Sequence, residues 1–600
     1  MRCITLEDLP LSLVILIYYF RYLFVFLYPV ALLPLVLIIT NKITKSAYIL
    51  IWMSGYWITG VIPLCATALL PMLAGPIMGL QTSGTLSREY LPMSNFLFIS
   101  SMFLAGAAEH SNLHRRIVMF CLKCMGGDPR LLILGIMVST WFLSLWMSNS
   151  ATTLLMSTIT ETLLNRIDEV SDRFNESEAM KKSDSEKKEN VEEPTKKKSS
   201  KWEKFGIGLS LSVCYSASTG GMGTLTGTPT NLVIYNLLTD VYGPDTGLNF
   251  GSWMAYAFPI SIMTLFCIWF VICIIYLGPK QLFRCSRPKR RSSLGSIESA
   301  FANEETEIKC KKREESEEIS LSCIVTQILA EEKEVLGPMT WAEGTVLTLF
   351  VSVVILWVTR EPGIPGWSRL MPIKTNSKSR VINYVGDTQP IVLMAFLAMV
   401  LPFNNPFKLR ARPDETRKEA LHRINRPLLP WTVAESKCAW GVVVLIGGGF
   451  ALSKIVTSSG LSAIISDYLI DVGKVPIFVI VYLLTMMCSF ITEMVSNTAT
   501  VSILTPIMFE LANKLSLHPL TLALPLGIAT SLAFTLPAAT PPNAIIIAKG
   551  RVRLFEMMKT GFLLNLLAQL IVTVCTMTYG VALFGLNTVP DWAVNITAKS

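Results

Sequence analysis

Long apolar blocks alternate with short polar interruptions along this chain. The blocks run to about 20 residues, the length a helix needs to cross roughly 30 Å of hydrocarbon. Residues 23–40 form a first spanning segment, and no small-residue cleavage site follows it, so it is retained in the mature chain. Residues 47–70, interrupted by Pro63, form a second and residues 96–108 a third. Asn112-Leu113-His114-Arg115-Arg116 opens an amphipathic piece whose basic residues suit the cytoplasmic surface of a bilayer. Later spans are predicted at 253–277, 341–358, 390–401, 441–456 and 561–584. The triple glycine Gly447-Gly448-Gly449 reads as a place where helix backbones approach closely.

Two kinds of block depart from this pattern, and each occurs twice. Residues 131–164 carry Ser148-Asn149-Ser150-Ala151-Thr152 at their middle, which leaves two arms of about 17 residues. Such arms are marginal for a full crossing, so the pattern predicts a re-entrant helical hairpin with its polar tip buried in protein. Residues 206–235 are apolar but broken around Gly220, Gly221, Gly223, Gly227 and Pro229, which oppose a continuous helix. The Gly-Lys-Ser/Thr ending of a phosphate loop is missing. Residues 476–511 repeat the hairpin with Ser496-Asn497-Thr498-Ala499-Thr500, and residues 520–548 repeat the broken helix around Thr535–Asn543. From Ser148 to Asn231 is 83 residues and from Ser496 to Asn543 is 47. The difference of 36 is the length of the charged stretch 168–203. With that stretch removed the halves match, which predicts two inverted repeats whose hairpins enter from opposite faces and meet at the midplane.

Composition agrees. Of 600 residues, 51% are hydrophobic and 16% charged, against roughly 25% charged in soluble domains. The fold class is therefore an all-α polytopic membrane protein, and the weak alternating segments of a β-barrel are absent. The net charge of +9 is no sign of nucleic acid, because Lys and Arg cluster between apolar blocks and orient the chain. Residues 168–203, disordered by composition, and the basic stretches 280–333 and 408–426 belong in the cytosol, and 361–387 outside. This places the amino terminus in the cytosol and the carboxy terminus outside. Asn595 of Asn595-Ile596-Thr597 is then a usable glycosylation site, pointing to the plasma membrane. The Asn175 sequon lies on the cytosolic side. His110 and His114 are helically spaced, but no Glu occupies position 111 and the metalloprotease pattern fails, so both read as interfacial.

Hairpin tips and helix breaks offer free backbone N–H and C=O groups. Helix N-termini suit carboxylate or sulfate oxygens. Unwound carbonyls, with Asn, Ser and Thr oxygens, suit a hard cation of low charge. No Asp or Glu lies inside either Ser-Asn cluster or either break, which favours Na⁺ over Ca²⁺. No Lys or Arg lies there either, so an anion would be held by amide dipoles, hydroxyls and bound cations, and coupling follows from that shortage of charge. A membrane-embedded hydrolase using Glu493 or Glu161 with a nearby Ser lacks a His or metal partner, so the chain is not read as an enzyme. A channel differs in having flux that does not saturate.

The two clusters, Thr224-Leu225-Thr226-Gly227-Thr228, Gly447-Gly448-Gly449-Phe450-Ala451-Leu452 and Pro537-Ala538-Ala539-Thr540-Pro541-Pro542-Asn543-Ala544-Ile545 resemble the divalent anion–sodium symporters over about residues 22–588. That resemblance implies a homodimer in which a transport domain moves as an elevator against a scaffold. It implies one Na⁺ site at Ser144, Ser148, Asn149 and Gly227 and a second at Thr492, Val495, Asn497 and Ala539. Substrate would touch Asn149, Ser150, Thr228, Asn497, Thr498, Thr540 and Pro541. Ser150 departs from the usual Thr, and Thr230 from a common Pro. Thr498 and Thr540 resemble the members that carry carboxylates, so the implied activity is Na⁺-coupled import of dicarboxylates such as succinate, or citrate, with sulfate as the alternative. No cofactor besides the coupling ion is implied. The division is then 1–130 scaffold, 131–240 first hairpin and broken helix, 252–277 scaffold helix, 278–338 cytosolic loop, 339–460 scaffold with a basic loop, 476–548 second hairpin and broken helix, and 559–600 last span and tail.

Overall fold

The computed structural model describes residues 11–125, 128–185, 196–243, 246–279, 330–331, 333–360, 366–375, 381–408, 416–469 and 475–593. The first half runs α1 (Leu11–Ile38), α2 (Lys42–Thr59), α3 (Leu64–Thr67), α4 (Leu70–Ile77), α5 (Ser83–Tyr90), α6 (Met93–His110), α7 (Leu113–Met125), α8 (Pro129–Ser144), α9 (Asn149–Ser185), α10 (Lys196–Gly221), α11 (Pro229–Tyr242) and α12 (Phe250–Ile272). The second runs α13 (Trp341–Arg360), α14 (Thr388–Val400), α15 (Arg417–Ile424), α16 (Trp431–Lys437), α17 (Trp440–Ser458), α18 (Leu461–Leu469), α19 (Ile477–Met494), α20 (Asn497–Lys514), α21 (Leu520–Ser531), α22 (Pro541–Ala548), α23 (Leu554–Cys575) and α24 (Val581–Phe584). Seven helical segments among the described residues are long and apolar enough to cross a membrane. The chain is thus a helical, multi-pass membrane protein.

Three expectations need amendment. The all-helical pattern is broken by β1 (Ile373–Thr375) paired antiparallel with β2 (Val381–Asn383). The span expected at 47–70 divides, because α2 stops at Thr59 and Pro63 starts the separate α3. The stretch 168–203, expected as a disordered loop, is helical up to Ser185 and again from Lys196. Residues 168–185 contain neither Gly nor Pro, so nothing in the backbone stops α9 where the apolar pattern ends. Asn595 lies outside the described residues, as does most of 278–338.

The helix ends are tied by a few strong contacts. Arg360, at the end of α13, pairs with Asp387 at 3.1 Å, and both are buried. Asp387 also accepts from the Phe250 N–H at 2.9 Å, and its carbonyl accepts from the Trp357 indole at 2.7 Å. One carboxylate therefore gathers the end of α13 and the starts of α12 and α14. At the opposite end of α13, Arg116 on α7 pairs with Glu343 at 2.6 Å and donates to the carbonyls of Leu336, Gly337 and Pro338. At the foot of α8, Asp128 accepts from the Arg130 N–H at 2.9 Å and pairs with its guanidinium, which holds the Asp128 carboxyl below its usual range. His110 takes Arg426 at 2.8 Å while His114 turns to the Ala108 carbonyl at 3.3 Å, so the two histidines serve different partners.

The triple glycine lies where α17 meets three neighbours. A methyl group at Gly448 would strike the Ala68 carbonyl oxygen, and one at Gly449 would strike the Ser502 hydroxyl. The α17 backbone thus lies directly on α20. The segment α12, expected as scaffold, packs along α10 and α23 and against α8.

Removing the Asp387 carboxylate leaves a buried guanidinium without its ion pair. Asp387→Ala is expected to lower stability by about 3–5 kcal/mol, read as a fall in the thermal unfolding midpoint of detergent-purified protein.

Candidate functional site

Both Ser-Asn clusters sit at hairpin turns. Helix α8 ends at Ser144, residues 145–148 turn, and Ser148 caps α9 by accepting from the Ala151 N–H at 3.3 Å. The second hairpin turns more sharply: α19 ends at Met494, and Asn497 starts α20. The hairpins open at opposite ends of α12. The Arg130 carbonyl, at the foot of the first, accepts from the Trp269 indole at 3.0 Å, near the end of α12. Asn513, at the foot of the second, accepts from the Tyr242 hydroxyl at 3.1 Å, and nearby His518 lines one cavity with Thr246, Gly247 and Ser252, at the start of α12.

The two halves use the same hydrogen bonds. At the first tip the Ser144 hydroxyl is 2.7 Å from both the Asn149 Oδ1 and the Ala217 carbonyl of α10. At the second the Thr492 hydroxyl is 2.6 Å from the Asn497 Oδ1 and 3.2 Å from the Thr530 carbonyl of α21. Each break is then closed on itself by one Asn amide. Asn231 donates to the Gly221 and Thr224 carbonyls at 3.2 and 2.7 Å, and Asn543 to the Ala533 and Leu536 carbonyls, both at 3.0 Å. In both cases the acceptors lie 10 and 7 residues back. The residues that lead into the second half-helices also match: Thr228 has φ −144°, ψ 145° and Thr540 φ −141°, ψ 145°, each followed by a proline at the first helical position. Glycine at 221 is a matter of space, since a Cβ there would collide with the Asn149 carboxamide.

Each broken helix completes the other half's hairpin. The distal part of the first, α11, packs on α20 and α21, while the distal part of the second, α22, packs on α9 and α10. Thr230 and Ser531 join across at 2.9 Å. The first break is buried from Gly220 to Thr228 with Pro229 half-buried, whereas Ala538 and Pro541 at the second are exposed. Asn149, Ser150 and Asn497 are half-buried, and Thr228, Thr498 and Thr540 are buried. The arrangement brings Ser144, Ser148, Asn149 and Gly227 to one tip and break, and Thr492, Val495, Asn497 and Ala539 to the other. It makes no hydrogen bond between the two Ser-Asn clusters among the described residues.

The donor set is an uncharged one: hydroxyls, amide oxygens and carbonyls, with the buried Thr540 hydroxyl and Asn543 Oδ1 lacking a hydrogen-bond partner among the described residues. Buried polar atoms are seldom left so, and an oxygen-rich recess with spare acceptors fits a monovalent cation. The amide N–H groups at the starts of α9, α11, α20 and α22 suit anionic oxygens.

Glu493, weighed in the sequence only as the acid of a hydrolase, lies against the second break. The buried Glu493 carboxylate accepts from the Thr535 and Leu536 N–H groups, each at 2.8 Å, and from the Asn565 amide on α23 at 2.7 Å. The statement that no acid lies within the clusters or breaks holds along the chain but fails in space. Alignment of the two clusters carried the signal, since three residues before Ser148 stands Leu145 and three before Ser496 stands Glu493. At Leu145 it is the backbone carbonyl that serves, accepting from the Thr224 hydroxyl at 2.6 Å.

The sequence profile of the sodium:sulfate symporter transmembrane region matches residues 15–586. The Na⁺/citrate cotransporter of Rattus norvegicus is 34% identical over 587 residues, spanning 95% of this chain and 96% of its own. Solute carrier family 13 member 2 of Oryctolagus cuniculus is 35% identical over 605 residues, spanning 96% of this chain and 95% of its own. The Na⁺/dicarboxylate cotransporter 3 of Rattus norvegicus is 34% identical over 616 residues, with the same two shares.

Asn231→Ala and Asn543→Ala should each leave two carbonyls of a break without a donor. We expect a loss of about 1–3 kcal/mol from each, measured by thermal unfolding, and nearly additive losses would mean the two breaks are held independently.

Proposed function

The chain belongs to the sodium:sulfate symporter family, and on that premise we propose that it is a Na⁺-coupled secondary active symporter importing dicarboxylates such as succinate, with citrate as a further substrate. The observation that carries this reading is the pair of uncharged tips, each bound to its own half by the same hydroxyl–Asn–carbonyl contacts. Na⁺ would be held by Ser144, Ser148, Asn149 and Gly227 in one half, and by Thr492, Val495, Asn497 and Ala539 in the other. Carboxylate oxygens would meet Asn149, Ser150, Thr228, Asn497, Thr498, Thr540 and Pro541, where helix-end N–H groups supply dipoles and the two cations supply charge. The names of the citrate and dicarboxylate relatives support a carboxylate cargo; the family description keeps sulfate as the alternative.

The two halves are inverted repeats in this reading, which the hairpins opening at opposite ends of α12 support. Segments 131–240 and 476–548 form the moving body. We extend that body by α12, read from the sequence as a scaffold helix, and by α23, and their packing on α8, α10 and α19 supports this. The remaining helices of 1–130 and 339–460 form the scaffold of a homodimer. The protein sits in the plasma membrane with its amino terminus inside and its carboxy terminus outside, glycosylated at Asn595. Lys454 on α17 pairs with Asp240 on α11 at 3.1 Å, and this contact crosses the proposed boundary. An elevator movement must break it.

Two experiments test the proposal. Succinate uptake into vesicles should vanish when choline replaces Na⁺, and excess citrate should compete. Asn149→Ala and Asn497→Ala should each abolish coupled uptake at normal surface expression; sulfate uptake indifferent to excess succinate would refute the carboxylate cargo. Separately, K454C/D240C joined by a bifunctional thiol reagent should lose uptake while the single variants keep it. Full uptake in the cross-linked protein would exclude movement across that boundary.

A further inference from the structure

Helix α13 carries two apolar rows that face different ways. Leu347, Val351 and Ile355, spaced four apart, are exposed, and on a spanning helix that exposure is to lipid hydrocarbon. Phe350 and Val354 stand beside them, half-buried, and turn toward the first hairpin. Trp146, in the hairpin turn, meets Phe350 edge-to-face with ring centroids 6.0 Å apart. Beside this contact the two elements leave a cavity of about 250 Å³, which α7 closes through Leu113 and Ile117.

The lining is almost wholly apolar and, among the described residues, contains no Lys, Arg, Asp or Glu, so it offers no charge to a phosphate or a carboxylate. One buried polar side chain interrupts it. His114 lines the cavity and is 5% exposed. Its Nδ1 lies 3.3 Å from the Ala108 carbonyl, which can only accept, so Nδ1 carries the ring proton. Burial lowers the His114 pKa, which keeps the ring neutral and leaves Nε2 a bare acceptor. That atom has no hydrogen-bond partner among the described residues. A buried acceptor in an apolar wall costs free energy until a donor reaches it. The cavity is also long. Its α13 wall runs from Leu347, one turn beyond the Glu343 that pairs with Arg116 of α7, to Ile355, about 12 Å along the helix axis. His114, on α7, stands at the Glu343 end.

We propose that this cavity binds a membrane sterol: the sterol hydroxyl donates to the His114 Nε2, and the flat ring body lies along α13 between that helix and the first hairpin turn. A sterol has the parts the cavity asks for, a single hydroxyl at one end of a rigid apolar body. A phospholipid would bring a phosphate that finds no cation in the lining. Its flexible chains would also lose rotational freedom that fused rings have already given up. Phe142, Trp146 and Phe350 offer flat apolar surface to such rings. The volume falls below the roughly 300 Å³ at which drug-sized pockets begin, so part of the sterol stays outside, against the exposed row of α13 by which it enters from the bilayer. Binding itself is independent of the transport reading above, whereas its consequence rests on that reading. With the first hairpin in the moving body and α13 in the scaffold, a bound sterol touches both and must be dragged or shed at every movement. It is a brake that leaves the substrate site alone, lowering the maximal rate at constant KM.

The test uses the full-length protein in phosphatidylcholine vesicles with and without cholesterol. A photoactivatable cholesterol should label segments 108–117, 142–147 and 347–355, and unlabelled cholesterol should compete. Cholesterol methyl ether, which cannot donate, should compete about threefold to tenfold less well, equivalent to about 0.7–1.4 kcal/mol for one hydrogen bond. His114→Phe should weaken labelling by the same factor, and Val354→Trp, which fills the cavity, should remove it, both with Na⁺-dependent succinate uptake retained in sterol-free vesicles. In cholesterol vesicles the maximal succinate rate of the wild type should fall at constant KM, and that of Val354→Trp should not. Labelling elsewhere, equal competition by the methyl ether, or a photoactivatable phospholipid or fatty acid that labels these segments and is not displaced by cholesterol overturns the site. Should either variant fail to reach the membrane, competition between the two sterols on the wild type decides alone. Labelling as expected with an unchanged maximal rate upholds the site and refutes the brake. Uptake that ignores Na⁺ brings down the symport reading, a separate result.

Discussion

A peptide group in the hydrocarbon core of a bilayer cannot turn to water, so any chain that unwinds there must find partners for its own backbone. This molecule unwinds twice. At each break one asparagine bridges the gap, donating to carbonyls 10 and 7 residues upstream and so replacing part of the missing helical ladder. At each tip one hydroxyl ties the hairpin to the end of the proximal half-helix. Everything else packs around these two repaired interruptions. At the second break the Thr540 hydroxyl and the Asn543 carboxamide oxygen are left without a hydrogen-bond partner among the described residues.

Much of this was legible from residue order. The two Ser-Asn clusters and the two breaks ending in Pro-x-Asn stand out because polar residues in apolar sequence are costly, and their matched spacing once 168–203 is removed predicts a repeat. What stayed hidden arises from contacts over long separations. Glu493 lies on its helix outside the cluster, and only folding brings it against residues 535 and 536, with Asn565 of α23 closing the clamp. The division between 47–70 and the ends of 168–203 were misread for a different reason. Hydropathy reports where apolar runs stop, whereas helices stop where backbone conformation or a proline makes them, and residues 168–185 contain no such signal. That α12 lies against α10 and α23 could not be read in advance, since a uniformly apolar helix does not say which neighbour it prefers.

The likeness of the halves and their one difference divide the labour. Geometry is held in common: the matched Thr228 and Thr540 conformations, the prolines that follow, and the hydroxyl–Asn pairs. Charge is held on one side only. The triple glycine of α17 serves a different end, since it brings that helix directly onto α20, with Gly449 against Ser502.

The crossed packing of the distal half-helices bears on how the chain reaches its folded form. Because α22 covers α9, the first hairpin stays without its final neighbour until synthesis has moved about 390 residues beyond its tip. Expressed separately, each half would keep the proximal half-helix its hairpin docks on but would lack the distal half-helix that covers it from the other half.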